Sequence, residues 1–333
     1  MKIVGFELQD WEQEYLKKKF SGALDISLYS DKLSLENLEN AQDADGIVIF
    51  IYSKLDRDIL DKMPKLKFIT TMSTGFDHID IEECKRRNIV VSTVPSYGEN
   101  TVAEHTFALI FAISRRIIES HERVREGNFS PTGLTGFDLF GKTLGVIGVG
   151  NIGRHVVRIA KGVGMEVLGY EKHENPKVAE QLGFRFVDLD TLLSESDVIT
   201  LHLPLLPETE HFLNEAKFEK MKKGVVIINT SRGAIIDTRA LIGALDCGKV
   251  GACGLDVLEG EPLLHEEKEL FSKRLKKEDI MVALEDRMLF ERPNVLITPH
   301  NAFNSREALM RILKTTEENI YGFLSGNPKN PAF

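Results

Sequence analysis

Along its first hundred residues the chain alternates short, nearly continuous apolar runs with longer stretches of helical period. The runs at 2–6, 26–29, 46–51, 68–72 and 89–92 are rich in β-branched residues, which marks them as strands. Strands that are apolar on both faces and separated by helices predict a parallel sheet covered on both sides. A long helical pattern begins at Thr101 and runs through Phe107, Ile110, Phe111, Ser114, Ile117 and Ile118. A polar, glycine-containing stretch at 127–141 then leads into a second alternating series, with strands expected at 142–147, 166–170, 198–203, 225–229, 252–257 and 295–298. A last helical run at 305–324 is expected to return to the first domain and make it discontinuous. The expected organisation is one α/β domain from residues 1–100 and 301–333 and a second from 101–300.

One stretch breaks the alternation. Residues 262–294 form a charged insertion that includes His265, Glu266, Glu267, Lys268, Lys273, Arg274, Lys276 and Lys277. A structureless loop of that length is unusual in a compact domain, so short solvated helices are expected there, with a lid over the site as the lesser alternative.

Composition narrows the class. The 333 residues suffice for two buried cores, and 42% apolar with 28% charged residues describes a globular enzyme rather than a disordered or membrane protein. A net charge of −9 argues against nucleic acid as the main partner, because a phosphate backbone demands a concentrated basic surface. Cys84, Cys247 and Cys253 are far apart and lack CxxC spacing, so they read as buried free thiols in a reducing cytosol, with neither a disulfide framework nor a metal site. The amino terminus runs straight into a strand with no signal-peptide pattern, and the apolar stretch at 106–114 is far shorter than the roughly 20 residues that span a bilayer. A cytoplasmic protein without a membrane partner is expected.

The most specific local signal is Gly148-Val149-Gly150-Asn151-Ile152-Gly153, which follows a β-branched run and opens a helical pattern. Gly148 permits the tight turn, Gly150 lets backbone approach a pyrophosphate, and Gly153 allows close helix packing. The helix amino terminus offers N–H groups and positive partial charge. Eighteen residues beyond Gly153, Glu171 ends the next strand, where a carboxylate binds ribose hydroxyls and repels a 2′-phosphate. NAD is therefore the expected cofactor, although Lys172 and His173 follow directly. The second domain is thus a dinucleotide-binding fold of about six strands.

Downstream stand Arg232, Glu261 and His300. A guanidinium holds a carboxylate with two parallel hydrogen bonds, and an imidazole backed by a carboxylate exchanges a proton with a carbinol or ketone oxygen. With a dinucleotide supplying hydride, the set points to an oxidoreductase.

At this point the chain resembles the D-isomer-specific 2-hydroxyacid dehydrogenases, in their D-lactate dehydrogenase-like branch. The resemblance rests on Ser73-Thr74-Gly75-Phe76-Asp77-His78-Ile79-Asp80, Asn100-Thr101-Val102-Ala103-Glu104-His105, the glycine turn, Asn229-Thr230-Ser231-Arg232-Gly233, the stretch from Gly254 to Glu261, and Thr298-Pro299-His300-Asn301-Ala302-Phe303. It implies two Rossmann-like or flavodoxin-like domains with doubly wound parallel sheets: a discontinuous substrate domain and a central NAD domain that also forms a homodimer. It implies Arg232 as the substrate-binding arginine and His300 as acid/base, paired with Glu261, whose charge favours imidazolium and extends reduction to higher pH. It further implies Asp256 beside the nicotinamide, and cofactor contacts from Leu203, Pro204, Thr209, Thr230 and Ser231. The turn Ser73-Thr74-Gly75 presents backbone N–H groups suited to a substrate carboxylate. Tyr97 and Phe303, with Met72, are candidates for an apolar pocket favouring pyruvate or a larger 2-keto acid. His78, His105 and His202 read as structural or cofactor-adjacent. The alternatives are a D-3-phosphoglycerate dehydrogenase, a hydroxypyruvate or glyoxylate reductase, and an NAD(H)-sensing binding protein resembling the C-terminal-binding protein corepressors. Formate dehydrogenase is disfavoured because Glu261 stands where that enzyme has an amide residue.

Overall fold

The computed structural model describes residues 1–261 and 277–333. Contacts divide the chain into two compact units, Met1–Tyr97 with Ser305–Phe333, and Gly98–Asn304. In the first, β1 (Lys2–Gly5), β2 (Asp25–Leu28), β3 (Gly46–Ile49), β4 (Phe68–Thr71) and β5 (Val90–Ser92) form a sheet of order β2-β1-β3-β4-β5. All its ladders are parallel. Central strands β3 and β4 are buried at every position, β3 as an apolar run and β4 with Thr70 and Thr71 buried beside Phe68 and Ile69. The carboxy-terminal helix Arg306–Leu324 belongs to this unit. Asn319 on it donates to the Thr70 hydroxyl at 3.2 Å and to the Thr93 carbonyl at 2.9 Å, and Phe323 stacks on Phe68 at 4.5 Å.

The second unit carries β6 (Thr143–Ile147), β7 (Glu166–Tyr170), β8 (Arg185–Phe186), β9 (Val198–Leu201), β10 (Val225–Asn229), β11 (Val250–Leu255) and β12 (Val295–Ile297), in the order β12-β11-β10-β9-β6-β7-β8. The ladders are again parallel. Successive residues serve opposite faces: Ile147 and Ile227 join one apolar core, Val146, Val226 and Ile228 the other. The chain leaves β6 toward β7 and β8, then returns to place β9 on the other side of β6. Loops therefore diverge beyond the carboxyl ends of β6 and β9, the place where open α/β sheets bind ligands.

Several expectations change. The second sheet has seven strands, not about six, because the two-residue β8 is too short to leave a hydrophobic signature. The helical pattern starting near Thr101 is two helices, Glu99–Ser114 and Ile117–Arg125. The break lies at Arg116, whose φ of +50° is left-handed and incompatible with a continuous helix. Of the three free thiols Cys84 and Cys253 are buried, but Cys247, just past a helix end, is exposed. Within the charged insertion, residues from Lys277 to Phe290 form a helix; residues 262–276, with His265, Glu266, Glu267, Lys268, Lys273, Arg274 and Lys276, lie outside the described residues. Among the described residues no helix is long and apolar enough to cross a membrane.

Candidate active site

The glycine turn follows β6 directly. Gly148 has φ +92°, and a Cβ there would stand 2.6 Å from the His202 carbonyl oxygen, so the turn is pressed against the chain leaving β9. A Cβ on Gly153 would meet the Gly148 carbonyl oxygen at 2.2 Å, which lets the helix Asn151–Val163 seat on the strand. Gly150 differs: a Cβ there meets nothing within 4 Å. The space beside Gly150 is open, so a ligand can approach the backbone there. The helix has no side-chain cap and no acidic residue in its first turn, so the N–H groups of Asn151, Ile152 and Gly153 and the helix dipole are presented to an anion. These features fit the pyrophosphate of a dinucleotide.

Glu171, beyond β7, accepts from the Val149 amide at 2.9 Å and from the Lys172 amide at 3.0 Å. The carboxylate is thereby fixed at the rim of a cavity of about 190 Å³ lined by Val149, Gly150, Arg154, Glu171, His173 and Phe186, among others. His202, after β9, accepts or donates at Nε2 with the Thr200 hydroxyl at 3.0 Å, and burial pulls its imidazole down to about 3, so it stays neutral. Leu203 is half-buried, and exposed Pro204 accepts at its carbonyl from the Thr209 hydroxyl at 2.6 Å, so Thr209 closes this loop. Thr230 shares a 3.0 Å hydroxyl contact with Thr106, and Ser231 donates through N–H and Oγ to Asn229 Oδ1 at 3.0 and 2.7 Å.

Arg232 sits just past β10. Asn229 Nδ2 donates to its carbonyl at 2.9 Å, and its Nη1 donates to the Ser231 carbonyl at 2.9 Å. The following Gly233 touches the chain beyond β11: a Cβ would lie 2.0 Å from Leu258 C and 2.3 Å from the Glu259 nitrogen. The loop bearing Arg232 thus rests on the turn leading to Glu261 with no space between.

His300 and Glu261 meet. Nδ1 of the imidazole is 2.8 Å from Glu261 Oε1, with both side chains under one-fifth exposed, 19% and 17%. His300 has φ +49°, in the left-handed region that non-glycine residues seldom adopt, and its N–H donates to the Asp256 carbonyl at 2.9 Å. Asp256, 1% exposed, accepts from the amides of Asn301 at 3.0 Å and Ala302 at 2.9 Å and from the Thr298 hydroxyl. Through these bonds it clamps the loop bearing His300. His105 belongs to the same cluster, with Nε2 3.1 Å from Thr298 Oγ1 and 3.4 Å from Asp256 Oδ1. Phe303, next along, is half-buried.

In the first unit, Ser73 is 2% exposed, and its hydroxyl donates to the Gly75 carbonyl at 2.6 Å and lies 2.6 Å from the Thr71 hydroxyl. Thr74 donates to the Val94 carbonyl at 2.8 Å. The hydroxyls brace the turn, so a ligand there meets backbone. His78 Nε2 lies 3.2 Å from the Thr71 hydroxyl, a bracing role as expected. Met72 is buried at 3% exposure, and half-buried Tyr97 accepts at its carbonyl from Arg311 Nε at 2.5 Å.

Sequence reasoning missed the clamping role of Asp256 and the groups behind Glu261, namely His211, Glu259 and Asp286. Only Gly260, flanked by two glutamates, hinted that this turn is crowded.

The family profile of the D-isomer specific 2-hydroxyacid dehydrogenase NAD binding domain matches residues 107–302. The D-lactate dehydrogenase of Escherichia coli (strain K12) is 39% identical over 330 residues, 98% of each chain. The glyoxylate reductase of Thermococcus litoralis is 37% identical over 296 residues, 87% of this chain and 83% of that one. Among solved structures, the D-lactate dehydrogenase from Aquifex aeolicus complexed with NAD and lactic acid aligns with TM-score 0.87 and 36% identity, covering 98% of this chain and 96% of that one.

Proposed function

The chain belongs to the D-isomer-specific 2-hydroxyacid dehydrogenases and is an NAD-dependent oxidoreductase, and on that premise we propose that it reduces a short 2-keto acid, with pyruvate and D-lactate as the favoured pair. The observation that carries the reading is the 2.8 Å contact between His300 Nδ1 and Glu261 Oε1. With Nδ1–H donating to the carboxylate, Nε2 is the atom left to serve the substrate.

The glycine turn, the amino terminus of the helix Asn151–Val163 and Glu171 would hold NADH, which would supply the hydride. Arg232 holds the substrate carboxylate and keto oxygen through its planar fork. His300 Nε2 gives its proton to the keto oxygen as the alcohol forms, and in the reverse direction the neutral ring takes it back. Glu261 accepts from Nδ1 and so fixes the orientation of the ring. Phe303, three residues beyond His300, is assigned to the substrate side chain. Glu171 favours NAD by repelling a 2′-phosphate.

A second reading, reduction of glyoxylate or hydroxypyruvate, draws support from the likeness to the Thermococcus litoralis enzyme. We assign the protein to the cytoplasm, and to a homodimer built on the second unit. That unit exposes Phe111, Ile117, Ile118, Val124, Phe129 and Phe140, the last two at 80% and 81%.

The deciding experiment follows NADH absorbance with pyruvate, 2-ketobutyrate, phenylpyruvate, glyoxylate, hydroxypyruvate and 3-phosphohydroxypyruvate. Pyruvate turnover is expected, falling by roughly 10²–10⁴-fold in His300→Ala. Preference for glyoxylate or hydroxypyruvate selects the second reading. NADH binding with no turnover of any acid defeats both and leaves an NAD(H)-sensing binding protein.

A further inference from the structure

Behind Glu261 the structure holds a buried acid that the proposed reaction does not use. Asp286 lies on the helix Lys277–Phe290, and its side chain has 0% exposure. Its Oδ2 accepts the Gly260 N–H at 2.7 Å, and Oδ1 accepts the Thr238 hydroxyl at 3.4 Å. Gly260 immediately precedes Glu261. A Cβ on it would stand 2.8 Å from Asp286 Oδ2, 3.2 Å from Val282 Cγ1 and 3.3 Å from Ala283 Cα, so turn and helix are in close contact. The other side of the turn is held separately: Glu259 accepts the Thr238 N–H at 3.1 Å and lies 2.5 Å from His211 Nε2.

We propose that Asp286 is a positioning residue: by holding the Gly260 amide, it sets the direction from which the Glu261 carboxylate meets Nδ1 of His300. The inference rests on the dehydrogenase mechanism proposed above. Docking the helix needs no acid, since Leu289 on the same helix already joins the apolar core. A carboxyl group without water is costly, and it is matched here to the amide that enters the catalytic turn. The charged groups facing it are Glu259 from the turn, with His211 as that residue's partner, and Glu285 from its own helix. Burial first, then these two acids, push the Asp286 carboxyl up to about 7, against the pull of the Gly260 hydrogen bond. Such an acid is retained against its own ionisation, which fits a geometric duty.

The test compares Asp286→Asn, Asp286→Leu and Glu261→Gln by kcat, KM for NADH and the pH dependence of keto-acid reduction. Asparagine keeps an oxygen for the Gly260 amide, so its kcat is expected within about threefold of the parent. Leucine removes the acceptor: kcat is expected to fall roughly ten- to hundredfold with KM for NADH unchanged. Its upper pH limit should move downward, in the same direction as in Glu261→Gln, and the double variant should show no further movement. If the leucine protein does not fold, Asp286→Ser, too short to reach the amide, is held to the same expectation. An unmoved pH limit in the folded leucine or serine variant, or an asparagine variant as impaired as leucine, overturns the proposal. If Glu261→Gln itself leaves the pH limit unmoved, the acid/base reading fails, and the positioning role fails with it.

Discussion

His300 occupies the left-handed region at φ +49° because three bonds from Asp256 hold its loop there: the carbonyl takes the His300 N–H, and the carboxylate takes the next two amides. Asp256→Ala strands two buried amides and releases that backbone. The expected result is a loss of about 2–4 kcal/mol in denaturant unfolding and a fall in kcat of roughly a hundredfold. Gly233→Ala puts a methyl 2.0 Å from Leu258 C, so it should disturb the Arg232 and Glu261 loops together. The expected signature is a rise in keto-acid KM together with a drop in kcat, and a wild-type profile would show that the loops part easily. The contact between Glu261 and His300 was legible in the sequence because each residue sits in a local motif. Asp286 was not, because in sequence it is one more acid on a charged helix and only folding buries it.

At the scale of elements, the strands were the most legible part. Runs buried on both faces of a parallel sheet must be apolar throughout, and β7 and β10 run between the positions the pattern marks. The break at Arg116 was not legible, since apolar periodicity continues through Ile117 and Ile118. Arg116→Gly removes the left-handed penalty but also the 3.1 Å pair with Glu119, so a net gain of at most about 1 kcal/mol in thermal unfolding is expected. The helix Lys277–Phe290 carries a pH dependence. The Asp286 carboxyl has its folded value raised to about 7 from the usual carboxylate range, so the stability it contributes is complete at low pH. That stability is lost as pH rises through 7. Asp286→Asn should therefore match the parent at pH 5 and exceed it by roughly 1–3 kcal/mol at pH 8. Parallel stability curves for the two proteins across that range would contradict this.

For the whole molecule, the large exposed apolar side chains of residues 111–140 make association the expected state. Phe129→Glu combined with Phe140→Glu is expected to convert a dimer into a monomer in light scattering, and a parent that is already monomeric defeats the assignment. The sequence by itself determined the two parallel-sheet domains, the glycine turn and the pairing of Glu261 with His300. Hydrophobic period and backbone-specific residues act over a few positions, and those are written locally. Tertiary structure alone decided that Asp256 spends its carboxylate on the His300 loop, that Gly233 abuts Leu258, and that Asp286 reaches the Gly260 amide. These partners lie between 25 and 46 residues apart. Which buried donor meets which acceptor over such separations depends on how strands and helices pack, and packing is a property of the folded chain.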